Sequence, residues 1–234
     1  PISGHTGFKG SWLSFIMIQS GAKVMGISDK IQNKKLFSQL DIKKKIYKHE
    51  IVNITDFKKL SQKIKNFEPE IVFHLAAQAI VSESYINPIN TFNTNIMGSI
   101  HLLQSCLNVK SVKSIVYVTS DKCYENNRWI WGYRETDSLG GVDPYSASKA
   151  SAEIIFSSFL RSYIENNDNL GAASVRAGNV IGGGDWSKDR LVPDIIRSLK
   201  KSNPVVIRNP NSTRPWQHVL EPLSGYLILG NKLM

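Results

Sequence analysis

Six short apolar runs, separated by segments of helical spacing, constrain this chain more than any other feature. The runs are "AKVMGIS" (22–28), "HEIVNI" (49–54), "EIVFHL" (70–75), "SIVYVTS" (114–120), "AASVRAG" (172–178) and "PVVIRN" (204–209). Helix-like segments fall near 8–20, 56–66, 90–109, 144–166 and 192–201. Near-continuous apolar runs mark strands buried on both faces, and their alternation with helices makes a parallel sheet covered on both sides. The predicted fold class is α/β, a doubly wound parallel sheet. In such sheets reactive groups gather just past the carboxyl ends of the strands.

"SDKCY" (120–124) lies at such an end. Asp121 and Lys122 stand side by side where Val116, Tyr117, Val118 and Thr119 stop. They read either as a solvated turn or as a pair that moves protons. A carboxyl that donates near neutral pH needs a raised pKa, and an amine that accepts needs a lowered one. A bare Asp–Lys ion pair opposes both shifts, so the second reading calls for other groups that separate or rebalance the two.

Composition narrows the class. The 234 residues suffice for one or two domains with a sizeable core, and 41% are hydrophobic, as is ordinary for a soluble globular protein. No apolar stretch approaches the roughly 18 residues that cross a bilayer. No leader is expected. Cys106 and Cys123 are too few for a disulfide framework and sit in no metal-ligand spacing, so a cytoplasmic protein without a metal is expected. The net charge is +10, and much of the excess lies in the lysine-rich stretch 30–50. Without an aromatic or arginine platform that stretch reads as a solvated connection, so no nucleic-acid partner is expected. A basic balance suits an anionic small substrate.

Composition drifts after residue 182, where Gly, Pro, Trp and Arg become frequent. Two regions are expected: a dinucleotide-binding domain over 1–181, and over 182–234 part of a substrate-binding region interleaved with its last elements. Only "PIS" precedes "GHTGFKG", and "LSGYLILGNKLM" ends inside an apolar helical pattern. Most of a first strand and part of the second region are therefore expected to be missing.

Two local patterns carry chemistry. "GHTGFKG" places Gly4, Gly7 and Gly10 three residues apart, directly before the helical pattern of Trp12, Leu13, Phe15 and Ile16. Glycines there let a pyrophosphate approach the amides of a helix N-terminus. About 25 residues later a strand-like run ends at Ser28-Asp29. A carboxylate at that place binds the ribose 2′-hydroxyl of NAD and repels a 2′-phosphate, though Asp29 also reads as a plain turn residue. In "DPYSASKASAE", Tyr145 and Lys149 fall on one helix face, where the ammonium would lower the phenol pKa and make a usable base. An exposed Tyr–Lys pair is the plainer reading of that spacing.

Together these pieces resemble the extended short-chain dehydrogenase/reductase family, and within it the nucleotide-sugar 4,6-dehydratases, nearest the branch that acts on CDP-glucose. The stretches that carry the resemblance are "GHTGFKGSWL" (4–13), "FHLAAQ" (73–78), "TNIMGSIHLL" (94–103), "VTSDKCYEN" (118–126), "GGVDPYSASKASAE" (140–153), "RAGNVIGGGDW" (176–186), "DRLVPD" (189–194) and "RPWQHVLEPLSGYL" (214–227). Residues 29–50 carry no match. The resemblance implies a Rossmann-type domain holding NAD against Gly4, Thr6, Gly7, Phe8, Lys9 and Gly10, then Asp29, Asn53 and Ile54, then His74, Ala76, Ala77 and Gln78, with Asn95 as a structural asparagine. Tyr145 and Lys149 serve cofactor and catalysis together. In that picture Tyr145 takes the proton of the sugar 4-hydroxyl and Ser120 orients it. Asp121 is the acid at C6, and Lys122 is the base at C5 or its partner.

The same resemblance implies substrate contacts from Asn179, Arg190, Arg208 and Arg214, since guanidinium forks match phosphate oxygens. His218 reads as an orienting group or as a packed histidine. Trp129, Trp131, Trp186 and Trp216 read as core before sugar platforms. The implied partner is CDP-glucose, and the helices near 90–109 and 144–166 resemble faces of a homodimer. Another nucleotide-sugar 4,6-dehydratase or a 4-epimerase remains open, as does a dinucleotide-binding protein without catalysis. Asp121-Lys122 speaks against the epimerase, which needs no acid at C6.

Overall fold

The computed structural model describes residues 1–31 and 34–234; Gln32 and Asn33, within the lysine-rich stretch, lie outside the described residues. Its six-stranded sheet consists of β1 (Ile2–Ser3), β2 (Met25–Ser28), β3 (Lys48–Ile51), β4 (Ile71–His74), β5 (Ser114–Val118) and β6 (Gly171–Val175). All are parallel, in the order β3-β2-β1-β4-β5-β6. The order reverses at β1, whose two residues pair with both neighbours: Ile2 with Gly26 on one side and with Phe73 on the other. A ligand crevice opens at such a switch point, beyond the carboxyl ends of the strands.

The helices are α1 (Phe8–Gln19), α2 (Lys34–Gln39), α3 (Ile42–Lys45), α4 (Phe57–Phe67), α5 (Val81–Ile86), α6 (Pro88–Phe92), α7 (Gly98–Leu107), α8 (Pro144–Phe159), α9 (Leu191–Lys200) and α10 (Leu220–Lys232). Single π-turns at 93–97 and 160–164 continue α6 and α8. Period-two alternation divides the core. On β5, Ile115 and Tyr117 join α4, α7 and α8 through Leu60, Leu102, Leu103 and Phe156 on one face. Val116 and Val118 join α1 and α10 through Leu13, Leu223 and Tyr226 on the other.

The run 204–209 is not a strand. It forms an irregular, exposed segment after α9, because no neighbouring strand offers its backbone a ladder. Two short strands stand away from the main sheet instead. β7 (Asn179–Ile181) and β8 (Trp216–His218) pair in parallel, in a register that sets Asn179 opposite Trp216.

Local chemistry sets the helix starts that matter. Asp143 caps α8 by accepting the Ser146 N–H at 2.9 Å, and Pro144 occupies the first turn, which fixes Tyr145 at the helix entrance. Gly4 turns with φ +75°, and a Cβ there would lie 2.8 Å from the Ala76 nitrogen. A Cβ on Gly10 would lie 2.1 Å from the Gly4 carbonyl oxygen. Helix α1 can approach the turn this closely only without that atom. Gly10→Ala should therefore cost about 1–3 kcal/mol of stability by forcing α1 off the turn. Denaturant unfolding measures this, and an unchanged midpoint would contradict the close approach.

Candidate active site

The cofactor cradle is built from the carboxyl ends of β1 to β4. Gly7 precedes α1 with no side-chain cap, and an N-terminus of this kind suits an anion. Thr6 is buried and its hydroxyl donates to the Lys30 carbonyl at 2.8 Å, which ties the glycine turn to the end of β2. Asp29 stands at that end, exposed, with Oδ1 accepting the Lys30 N–H at 2.9 Å. Asn53 follows β3 and accepts the Thr55 N–H at 3.0 Å, while Ile54 packs under Gly98. Phe8 is buried, and Trp12 on the same helix donates to the Gly183 carbonyl at 2.9 Å. Gly4, Gly7 and Gly10 thus form one close-packed turn, tied through Thr6 to the end of β2 beside Asp29, a donor set whose chemistry fits a dinucleotide.

The 75–78 loop closes the other side of the switch point. The Ala76 N–H donates to Ser3 Oγ at 3.2 Å, and Ala77 is half-buried beside it. Asn95, in the π-turn, accepts the Gln78 N–H at 2.8 Å and donates to the Gln78 carbonyl at 3.0 Å and to Ser148 Oγ at 2.8 Å. Its amide is spent inside the protein, so it acts on the site by holding the loop against α8. His74 is interior too, bonded to Ser3 Oγ at 2.6 Å and Ser99 Oγ at 3.1 Å, and burial pushes its pKa down to about 3.

Ser120, Asp121, Lys122, Tyr145 and Lys149 converge past β5. Ser120 caps the turn 121–123, its Oγ accepting the Lys122 N–H at 3.3 Å and donating to Asp121 Oδ1 at 3.2 Å. Tyr145 is buried beside it. Burial raises its phenol above the ordinary value, and the Ser120 hydroxyl and the Arg190 charge pull it back. The expectation that Lys149 lowers this phenol is corrected: desolvation outweighs the charges, and Lys149 donates to the Val118 carbonyl at 3.5 Å. Burial also brings Lys149 down to about 8 and Lys9 down to about 8, the latter aided by the charges of Lys149 and Arg190.

Arg214 supplies the part of the rebalancing required by Asp121-Lys122 that concerns Lys122, while its bond to Asp121 favours the charged carboxylate. Its guanidinium donates to Asp121 Oδ2 at 2.5 Å and to Asn179 Oδ1 at 3.2 Å. The carboxylate is thus paired with Arg214. Lys122 is held below the ordinary lysine range, first by burial and then by the Arg214 charge, with Asp121 and Asp143 opposing. Arg190 pairs with Asp185 at 2.9 Å and acts on both Lys9 and Tyr145. Arg208 is directed elsewhere, to Asp189 at 2.8 Å and Asp194 at 3.5 Å. His218 is exposed on β8 and accepts the Leu220 N–H at 3.4 Å. The four tryptophans expected in the core are 41–60% exposed, because they lie in loops or, for Trp216, in the small β7–β8 pair, apart from the faces of the main sheet. Trp129 stacks on Tyr133, and Tyr133 on Tyr124, in an exposed ladder.

Sequence reasoning missed Glu153 and Arg176. Glu153 is buried on α8, where it accepts the Thr119 hydroxyl, the Ser174 hydroxyl at 2.9 Å and Arg176 Nη2 at 2.7 Å. A carboxylate at the buried-face spacing of Tyr145 and Lys149 was the available signal. Also missed was His5, wholly buried in the glycine turn and bonded to His49 at 2.7 Å and Ser28 at 3.0 Å.

A parallel sheet with a glycine turn at its switch point and a Ser–Tyr–Lys cluster past β5 defines a dinucleotide-dependent class of fold. The family model described as GDP-mannose 4,6 dehydratase matches residues 2–229, and the chain belongs to that family. It is 52% identical, over 99% of its own length, to the CDP-glucose 4,6-dehydratase of Salmonella typhimurium, of which it spans 66%. The fold is similar to that of a Thermotoga maritima UDP-glucose 4-epimerase, with a TM-score of 0.85 and 24% identity over 97% of this chain and 71% of that one. It is similar also to a dTDP-glucose 4,6-dehydratase of Streptomyces venezuelae, solved with NAD, with a TM-score of 0.82 and 22% identity over 98% of this chain and 71% of that one. Among the described residues no helix is long and apolar enough to cross a membrane.

If Arg214 holds Lys122 down, Arg214→Gln must let Lys122 keep its proton to higher pH. The neutral side chain removes a repelling charge and frees Asp121 to attract the ammonium. NMR titration of 13C-methylated lysines, with the Lys122 signal assigned through Lys122→Arg, measures the shift. A midpoint equal to that of the native protein would refute the coupling.

Proposed function

We propose that this protein is a nucleotide-sugar 4,6-dehydratase that converts CDP-glucose to CDP-4-keto-6-deoxyglucose and water. The observation that carries the reading is the Asp121–Lys122 turn, rebalanced by Arg214, beside Ser120 and Tyr145. An oxidation site alone has no use for an acid and an amine at this strand end. The 52% identity to a relative of that activity supports the same substrate.

NAD held by the glycine turn, Asp29 and the 75–78 loop would accept hydride from C4 and return it to C6. Tyr145 takes the 4-hydroxyl proton as a phenolate, which the Ser120 hydroxyl and the Arg190 charge favour against burial, and Ser120 orients the 4-hydroxyl. The resulting 4-ketone acidifies the C5 proton, which the Lys122 amine removes. Burial and Arg214 both favour the neutral amine that this step needs. Asp121 then gives a proton to the departing 6-hydroxyl and water leaves; as hydride returns to C6, the Lys122 ammonium, exchanged with solvent, returns a proton to C5. To carry that proton Asp121 must give up Arg214. Substrate diphosphate oxygens fit the same guanidinium fork and are the competing partner. Lys9 and Arg190 add positive charge for the same anion. A homodimer through the exposed Ile86, Ile89, Ile154 and Tyr163 of α5, α6 and α8 with its π-turn fits these apolar side chains. The buried free thiols Cys106 and Cys123 suit a reducing cytoplasm.

Incubation with CDP-glucose in deuterated water should yield a 4-keto-6-deoxy sugar carrying solvent deuterium at C5, read by mass spectrometry. A 4-epimerised hexose in its place would overturn the proposal. Tyr145→Phe should lower turnover at least about a hundredfold with substrate still bound. Lys122→Met should instead leave oxidation intact, so that enzyme-bound NADH accumulates in a single turnover while product falls about a hundredfold or more. Loss of NADH formation in Lys122→Met would move Lys122 into the oxidation step.

A further inference from the structure

Lys149 has little to hold it. Among the described residues its ammonium reaches one protein acceptor at 3.5 Å, the Val118 carbonyl, although the residue is 6% exposed. A buried amine in that position tends to lose its proton. A neutral amine carries no charge with which to steady a phenolate at Tyr145 or a bound anion.

One turn further along α8 lies Glu153, 4% exposed. Tyr145, Lys149 and Glu153 follow one another at four-residue spacing and so form a file along one face of the helix. The Glu153 carboxylate is fastened from two other elements. Thr119, which precedes Ser120 in the chain, donates its hydroxyl to Oε1, and Ser174 on β6 donates to Oε2 at 2.9 Å. Arg176 Nη2 donates to Oε2 at 2.7 Å and turns its other nitrogen to the Tyr124 hydroxyl at 2.9 Å. The file on α8 is thereby locked to the ends of β5 and β6, the ends that carry the site.

We infer that Glu153 is a positioning residue that keeps Lys149 charged and holds its helix face in register with Ser120. The inference rests on the proposed oxidation at C4, in which Lys149 serves as its ammonium. Among the groups that face Lys149, Glu153 is the first of those that counter burial, followed by Cys123. Lys9 from α1 and His74 from β4 also feel the Lys149 charge. Facing Glu153 itself are Arg176, Cys123 and Tyr117. The sign follows: without the Glu153 charge the amine loses its proton at lower pH, and with that charge less neutralised it keeps its proton to higher pH.

Two variants of opposite sign test this. Glu153→Gln keeps the shape and one accepting oxygen, turns the other position into a donor that the Thr119 or Ser174 hydroxyl can accept by rotating, and removes the charge. The Lys149 resonance in a 13C-methyl-lysine titration should move down by about one pH unit or more. The alkaline limb of kcat/KM for CDP-glucose should follow it, with rate recovered at lower pH. Arg176→Gln leaves the carboxylate and removes its counter-charge, so both readouts should move to higher pH; this variant decides the matter if the first does not fold. A merely structural Glu153 would lower the melting temperature in either variant and leave both readouts unmoved, which would overturn the inference. Shifted Lys149 titration in a protein that makes no keto-deoxy product would instead leave the coupling standing and remove the proposed function.

Discussion

The contact between the Gly4 turn and the backbone of Ala76 is the constraint on which the rest of the site depends. The two loops follow adjacent parallel strands, β1 and β4, and meet with no room for a Cβ between them. Gly10 brings α1 onto the same turn from behind. The amides of the α1 N-terminus are thus presented at the place where the strand order reverses, and a crevice opens on both sides of it. Everything that reads as cofactor-facing, from Asp29 after β2 to Gln78 after β4, lies around this junction of three backbones.

Charge in the crevice is arranged by burial first and by pairing second. Lys9, Lys122 and Lys149 are all held below the ordinary lysine range by desolvation. Two carboxylates restrain what this dense cationic group would otherwise do. Asp121 pairs with Arg214 at the outer edge, and Glu153 pairs with Arg176 beneath the floor. Removing one partner of a desolvated pair leaves a costly unpaired charge, so both pairs also stiffen the ends of β5 and β6.

Much was legible in the sequence because it is local. The apolar runs of β2 to β6 read as buried strands, the three-residue spacing of glycines read as a turn before a helix, and the four-residue spacing placed Tyr145 and Lys149 on one face. The run at 204–209 misled because apolarity reports what a strand would bury and says nothing of whether a neighbour exists to pair with it. The tryptophans misled for a related reason: an aromatic side chain favours burial, yet segments away from the main sheet offer it no core.

The sequence by itself determined the alternation of strands and helices, the glycine turn, and the presence of an acid and an amine past the fifth strand. These follow from periodicities of two and 3.6 residues and from backbone freedom at glycine, which act within a few residues. Only the tertiary structure decided what those groups touch. Arg214 reaches Asp121 across 93 residues, and Arg176 reaches Glu153 across 23. Burial, which only the packed chain creates, raised the Tyr145 phenol that spacing alone expected to fall. A side chain's solvation and its distant partners are properties of the assembled sheet, and no local pattern encodes them.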